Sequence, residues 1–222
     1  MKKGDFVWVL TLLAVVAFLV LPITHDVFIQ FTARHPYYAG FIKFLILATM
    51  GELLAIRIVS GIWKTPPALV YRSIIWGLLG MGMVLMFECF AAGTKSAMAK
   101  GLLPGNGSPY AFALFVSIIM NSVFGTTFMA LHRITDTYLD LKFEYANAQV
   151  TFKQVLDKID WTGFVSFVVC RTIPFFWIPA HTITFSLPPE YRVLMAAFLG
   201  IALGGILGFA KKRAPKVPSK AI

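Results

Sequence analysis

Six ionisable residues fall inside long apolar runs of this sequence: Lys43, Glu52, Arg57, Arg72, Glu88 and Arg171. A charge near the centre of a bilayer costs about 3 kcal/mol or more, so such groups pair, face a watery cavity or line a solute path. Counting a rise of about 1.5 Å per residue from the inner ends of the runs places Glu52 and Arg171 at a common depth, roughly nine and ten residues in. Lys43 and Glu88 fall near the outer ends, whereas Arg57 and Arg72 fall near the inner ends, where long stems can snorkel. Two pairs are therefore expected, a deep Glu52 with Arg171 and a shallower Lys43 with Glu88. They read either as ion pairs that hold helices in register or, for the deep pair, as the core of a polar path. Asn121, Ser122 and Thr126 would add hydrogen-bonding groups to that path at mid-membrane depth, and His181 a further polar group near its outer end. Enzyme chemistry finds no support. The chain has no H-E-x-x-H, no G-x-S-x-G, no Walker loop and no Rossmann glycine fingerprint. Its four histidines, His25, His35, His132 and His181, are scattered. No catalytic residue, metal site or cofactor is assigned.

The elements that must position these groups follow from composition. Of 222 residues, 58% are apolar and only 14% charged, against about 45–50% and about 25% in ordinary soluble domains. This is the balance of a polytopic membrane protein, and it excludes a disordered tail protein, a collagen and a secreted disulfide scaffold. Cys89 and Cys170 both fall in apolar runs and read as small core hydrophobes. A crossing needs about 20 apolar residues. Six stretches qualify: Phe6 to Thr24, Gly40 to Gly61, Leu69 to Ala92, Pro109 to Leu131, Trp161 to Thr182 and Val193 to Ala210. The first follows Lys2-Lys3 and has no small-x-small cleavage site before His25-Asp26, so residues 1–33 read as a signal-anchor span. Residues 34–213 then form a helix bundle and 214–222 a polar tail. The fold class is all-α.

Six spans put both termini on one side. That side carries twelve lysines and arginines outside the spans, and the opposite side only Arg34, Lys95, Lys100 and Arg192. The asymmetry places the termini in the cytoplasm. It also turns a net charge of +10 into a topology signal rather than a nucleic-acid patch. Between the fourth and fifth spans, Ile134, Tyr138, Leu141, Tyr145, Ala148, Phe152, Val155 and Ile159 recur at steps of four and three. They predict an amphipathic cytoplasmic helix from Thr135 to Asp160, packed on the bilayer or on the bundle's inner ends, with an oligomerising helix as the alternative. In the fifth span, Pro174 and Pro179 predict a kink or an unwound turn. Gly200, Gly204 and Gly208 make overlapping G-x-x-x-G steps in the last span, a signature of close helix packing.

The run from Trp177 through Pro179, His181, Thr184, Phe185 and Pro188 to Arg192, closing with Lys211-Lys212-Arg213 after one more span, resembles the C-terminal signature of the Mpv-seventeen/peroxisomal membrane protein twenty-two family. Upstream, His35-Pro36 leading to Gly51-Glu52 is similar to that family's proline-to-glycine-aspartate first span, and Arg72 opens the glycine-rich third span as the family's arginine does. The positions carried over are Gly51, Glu52, Arg72, Trp177, Phe185, Pro188 and Arg192. His181 stands where the family has glutamine, Thr184 where it has asparagine, and Asn121-Ser122 where it has an acidic-glutamine pair. The likeness covers roughly Arg34 to Arg213, leaving the first span as an addition to a four-span family core.

The resemblance implies an integral membrane protein that forms a small-solute channel or pore of modest selectivity. Two other readings stay open: a non-transporting membrane scaffold or interaction protein, and a proton-coupled secondary transporter. The expected partners are the lipid bilayer and a small polar solute, with self-association open and no nucleic acid. Lys2-Lys3 before an apolar run suits a bacterial cytoplasmic (inner) membrane.

Overall fold

The computed structural model describes residues 2–144 and 149–213, with side chains described as far as Phe209. It is all-helical, with no strand among the described residues. The helices are α1 (Lys3–Val20), α2 (Pro22–Arg34), α3 (Pro36–Ser60), α4 (Leu69–Ala99), α5 (Pro109–Met120), α6 (Thr126–Glu144), α7 (Phe152–Lys158), α8 (Trp161–Gly163), α9 (Ile178–Phe185) and α10 (Pro189–Arg213). A π-helical turn, Asn121–Gly125, joins α5 to α6 without a break, and a π-helical stretch, Phe164–Trp177, joins α8 to α9.

Local chemistry sets the starts and stops. Pro22, Pro36 and Pro109 occupy first turns, where a missing N–H costs nothing and the fixed φ suits the helix. The Ser108 hydroxyl accepts from the Ala111 N–H to cap α5, and Gly61, at φ 72°, closes α3 in the left-handed conformation that glycine adopts freely.

Among the described residues, five helical stretches are long and apolar enough to cross a membrane: Lys3–Val20, Leu69–Ala99, Pro109–Glu144, Trp161–Phe185 and Pro189–Phe209. Their outward faces carry large apolar side chains such as Leu10, Val70, Leu78, Val123 and Phe175, which a lipid solvent accommodates. Helix α3 is not among the five. It carries Lys43, Glu52 and Arg57 along 25 residues, yet it lies at the centre, packed along its length between α4 and α10. Glycines allow that approach. A Cβ on Gly40 would meet the Gly80 carbonyl oxygen at 2.8 Å, and one on Gly204 would meet that of Gly51 at 2.7 Å. The core gathers Phe28, Phe44, Leu47, Met83, Phe87, Val116, Met120, Phe185 and Ala197 from α2, α3, α4, α5, α9 and α10. Helix α1 buries no residue fully, but its Trp8, Leu12, Val15 and Leu19 pack on this core and the Trp8 indole donates to the Met50 carbonyl at 3.0 Å.

Three expectations need correction. The apolar stripe is not one helix: α6 ends at Glu144, residues 149–151 are non-helical, and α7 starts afresh at a Thr151–Gln154 capping box. Ile134, Leu141, Val155 and Ile159 instead pack on one another with Val150 as a small separate core, while Tyr145 and Ala148 lie outside the described residues. Of the kink or unwound turn expected at the fifth span's prolines, the unwound turn is absent, because the backbone stays helical through Pro174 and Pro179. A π-helix is wider and bonds five residues back, so the chain absorbs Pro174 and continues into α9, with the Ile178 N–H donating to the Ile173 carbonyl. Cys89 and Cys170 are free and exposed rather than buried, because both lie on outward faces of their helices.

Candidate functional site

A cavity of about 250 Å³ runs inside the bundle between α3, α4, the Pro109–Glu144 helix, the Trp177–His181 turn and α10. Its lining on α10 extends from Ala196 to Leu207, a span of roughly 16 Å at the helical rise. The walls are apolar over most of that length, with Phe44, Met83, Met120, Phe124, Phe128 and Leu203. Polar groups gather at its two ends.

At the end nearest α9, Asn121, His181 and Trp177 line the cavity. Asn121 is fixed by α5: its Nδ2 donates to the Ser117 carbonyl at 2.8 Å and to the Ser117 hydroxyl at 3.2 Å. That hydroxyl in turn donates to the Ile178 carbonyl at 2.7 Å. The Asn121 Oδ1 therefore faces His181 Nδ1, 3.0 Å away, and accepts from it. In the neutral ring this leaves His181 Nε2 as a bare acceptor. His181 is only 3% exposed, and neither its Nε2 nor the Trp177 indole N–H has a hydrogen-bond partner among the described residues. The two rings stack at 5.1 Å. This end thus offers one donor and one acceptor without a partner among the described residues.

At the opposite end, Arg72 gathers three carboxylates. Its NH1 lies 2.9 Å from Asp136 and 3.3 Å from Glu52, its NH2 pairs with Asp140, and its Nε donates to the Pro67 carbonyl at 3.0 Å. His132 Nε2 approaches Asp136 at 3.3 Å, and its buried Nδ1 has no partner. The Trp76 indole reaches Glu52 at 3.4 Å while its ring lies 4.0 Å from that of His132. Glu52, Trp76, His132 and Asp136 all line the cavity.

Of the residues expected on a polar path, Glu52, Asn121 and His181 line this cavity. Ser122 is exposed and Thr126 half-buried, and neither is among the lining residues; the Thr126 hydroxyl turns back to the Ser122 carbonyl. Both expected ion pairs are corrected. Glu52 pairs with Arg72 across α3 and α4, and Arg171 is exposed, in no ion pair among the described residues. Equal depth fixes a level but not a direction around the helix, and Arg171 points away from the bundle. Lys43, 8% exposed, donates to the Thr32 hydroxyl at 3.1 Å and lies 4.7 Å over the Phe28 ring, whereas Glu88 is exposed. Helix α2, which the pairing argument left out, takes the place beside Lys43.

The positions picked by resemblance, and the glycines read as helix-packing sites, divide into two groups. Gly51, Glu52 and Trp177, with the packing glycines Gly200 and Gly204, line the cavity, and Arg72 clamps the carboxylates at one end of it. Phe185 is buried in the core, and Arg192 lies 5.7 Å over its ring while donating to the Leu187 carbonyl. Pro188 is exposed in the turn before α10, and Gly208 packs on Ile58 and Ala55. Trp76, Ser117, His132, Asp136 and Asp140 were not singled out. The signal for three of them was present, since His132, Asp136 and Asp140 recur every four residues and so share one face of a helix. Comparison of the chain with protein-family models, with curated proteins and with solved structures finds no match.

Proposed function

We propose that this chain is an integral membrane protein of six spans that admits a small solute to its internal cavity and passes it as a channel or pore of modest selectivity. The observation that carries the proposal is the cavity itself, because it reaches from the level of His181 to that of Asp136 and is capped at both ends by groups able to hold a solute. Helix α3 serves as the sixth span, its charges met by neighbouring helices rather than by lipid. Both termini lie in the cytoplasm of a bacterial inner membrane by the lysine and arginine asymmetry, which sets the Arg72 end inward. Convergence of Gly51, Glu52, Arg72 and Trp177 on one cavity supports distant membership of the Mpv-seventeen/peroxisomal membrane protein twenty-two family. The test is efflux of trapped erythritol and of trapped tetramethylammonium from liposomes containing purified protein, with and without a membrane potential. Efflux faster than from protein-free liposomes is expected for both.

A scaffold reading draws on one specific observation, the Arg72 clamp, which ties α3, α4 and α6 together without any need for a solute. Efflux no faster than from protein-free liposomes would favour it.

A further inference from the structure

We infer that the solute of this cavity is an organic cation with an apolar body, its charge held at Glu52 and its body lying along the aromatic wall toward Asn121. The inference rests on the permeation reading above and names the chemical class that the cavity selects.

Charge at the inner end comes first. One guanidinium serves three carboxylates there, and it is not shared evenly. Arg72 makes its close contacts with Asp136, Asp140 and the Pro67 carbonyl, leaving Glu52 at 3.3 Å from Arg72 and 3.4 Å from the Trp76 indole. Both distances are at the long edge of a charge-assisted hydrogen bond, which runs about 2.7–2.9 Å when well made. Glu52 is the carboxylate with acceptor capacity to spare, and it lines the cavity. Arg133, the nearest other cation in sequence, is exposed and not part of the lining. His132 Nδ1 also has no hydrogen-bond partner at this end among the described residues. An anion would find a surplus of negative charge here, and a neutral solute no counterpart for it.

The walls decide between a hydrated inorganic ion and an organic one. The Trp76 indole lies beside Glu52, the Phe44 and Phe128 rings each lie 6.4 Å from that of Trp76, and Phe124, Met120 and Met83 extend the apolar lining. Such a surface offers nothing to replace the water of a small metal ion. It does offer ring faces, which attract a weakly hydrated ammonium, and apolar contact for a hydrocarbon body. At the far end, the unpartnered Trp177 N–H and the 3% exposed His181, with its free Nε2, supply one donor and one acceptor. They would complete the hydrogen bonds of a hydroxyl or amide on the remote end of such a molecule.

Three water-soluble probes of matched shape test the assignment: phenylbutyl-trimethylammonium, phenylbutanol and phenylbutyrate. Binding is read by equilibrium dialysis against protein in lipid nanodiscs, with empty nanodiscs subtracted. The cation is expected to bind about tenfold more tightly than the alcohol, and the anion more weakly than either, a discrimination that one tenfold step in affinity makes easy to measure. Glu52→Gln should remove the advantage of the cation and leave alcohol binding in place. Met129→Trp, which fills the cavity wall without touching a charge, should abolish binding of all three. The comparison of probes on the native protein needs no variant to fold. Equal binding of the three probes, tighter binding of the anion, or cation binding that survives Met129→Trp would overturn the assignment. Erythritol efflux reads separately: with equal probe binding and intact efflux the permeation proposal stands and only the cation class falls, whereas cation binding without any efflux leaves the site and removes the permeation reading.

Discussion

Arg72 is the residue whose loss should cost this fold most. It is 5% exposed, and its guanidinium touches Glu52 at 3.3 Å, Asp136 at 2.9 Å and Asp140 while bonding the Pro67 carbonyl. Arg72→Met keeps much of the stem volume and deletes the only cation in contact with Glu52 and Asp136 among the described residues, apart from what His132 supplies when protonated. Breaking a buried pair in this way typically costs about 3–5 kcal/mol, because the remaining charge stays desolvated and unpaired. For a chain of this size about 1 kcal/mol corresponds to roughly 2–4 °C in melting temperature, so a drop on the order of 10 °C is expected. Arg72→Lys should fall between, since an ammonium keeps the charge but cannot reach three carboxylates with a planar fork. Adding Asp136→Asn to Arg72→Met should recover part of the loss. Arg171→Gln is the control: an exposed group without an ion-pair partner should change stability by no more than about 0.5 kcal/mol. Thermal unfolding of purified protein in detergent, followed with size-exclusion profiles, measures all four. If Arg171→Gln matches Arg72→Met, or if Asp136→Asn simply adds to its loss, the clamp is not the device described here.

Alanine at Gly51 or Gly204 would place a Cβ at 2.9 Å from the Gly200 carbonyl oxygen or 2.7 Å from that of Gly51, and each should lower stability by about 1–3 kcal/mol as α3 and α10 are forced apart. Gly82→Ala, with nothing within 4 Å of its Cβ, should instead be neutral or stabilise by up to about 1 kcal/mol through helix propensity; thermal unfolding again reads both. Asp5→Asn removes the carboxylate that accepts from Arg57 Nε and the Trp63 indole, both at 2.8 Å, and should speed proteolytic clipping of the α1 segment while the rest of the bundle stays resistant. For topology, cysteines placed at Ser108 and Ser219 in a background lacking Cys89 and Cys170 should differ: an impermeant thiol reagent on intact cells should label Ser108→Cys and spare Ser219→Cys, and the reverse pattern would invert the orientation.

Helical class, the long apolar helices and the turn positions were legible because they depend on local properties. Proline at a first turn, glycine after a last turn and a run of apolar residues all declare themselves within a few positions. Side-chain partnerships did not, and the reason is geometric. Counting along a helix gives only depth, and Glu52 and Arg171 were paired on depth alone, whereas rotation about the axis decides what each one faces. Arg72 was read as a snorkelling residue of the inner end; it turned inward because Asp136 and Asp140 lie one turn apart on a helix that the reading had ended at Leu131. The extension of the Pro109–Glu144 helix past the apolar run was the missed step. The broken stripe was a similar case. Its periodicity was real and its residues do pack together, but Thr151 and Gln154 form a capping box, and that local start signal outweighs a continuing apolar register.

Helix α3 shows how a bundle holds charges among its helices. Each of its three charged side chains is met by a different neighbour. Lys43 is held by Thr32 and Phe28 of α2, Glu52 by Arg72 and Trp76 of α4, and Arg57 by Asp5 of α1. The helix that carries them packs along both α4 and α10, so neighbours are at hand along its length. This also changes the standing of the N-terminal segment. Residues 1–33 read as an anchor added to a complete core, but α1 and α2 provide the counter-groups for two of the three charges that α3 carries. A core without them would expose Lys43 and Arg57 to lipid, at a cost of about 3 kcal/mol or more for any such charge near the bilayer centre and less near the interface. The first two helices thus complete the environment that lets α3 carry Glu52 into the cavity at all.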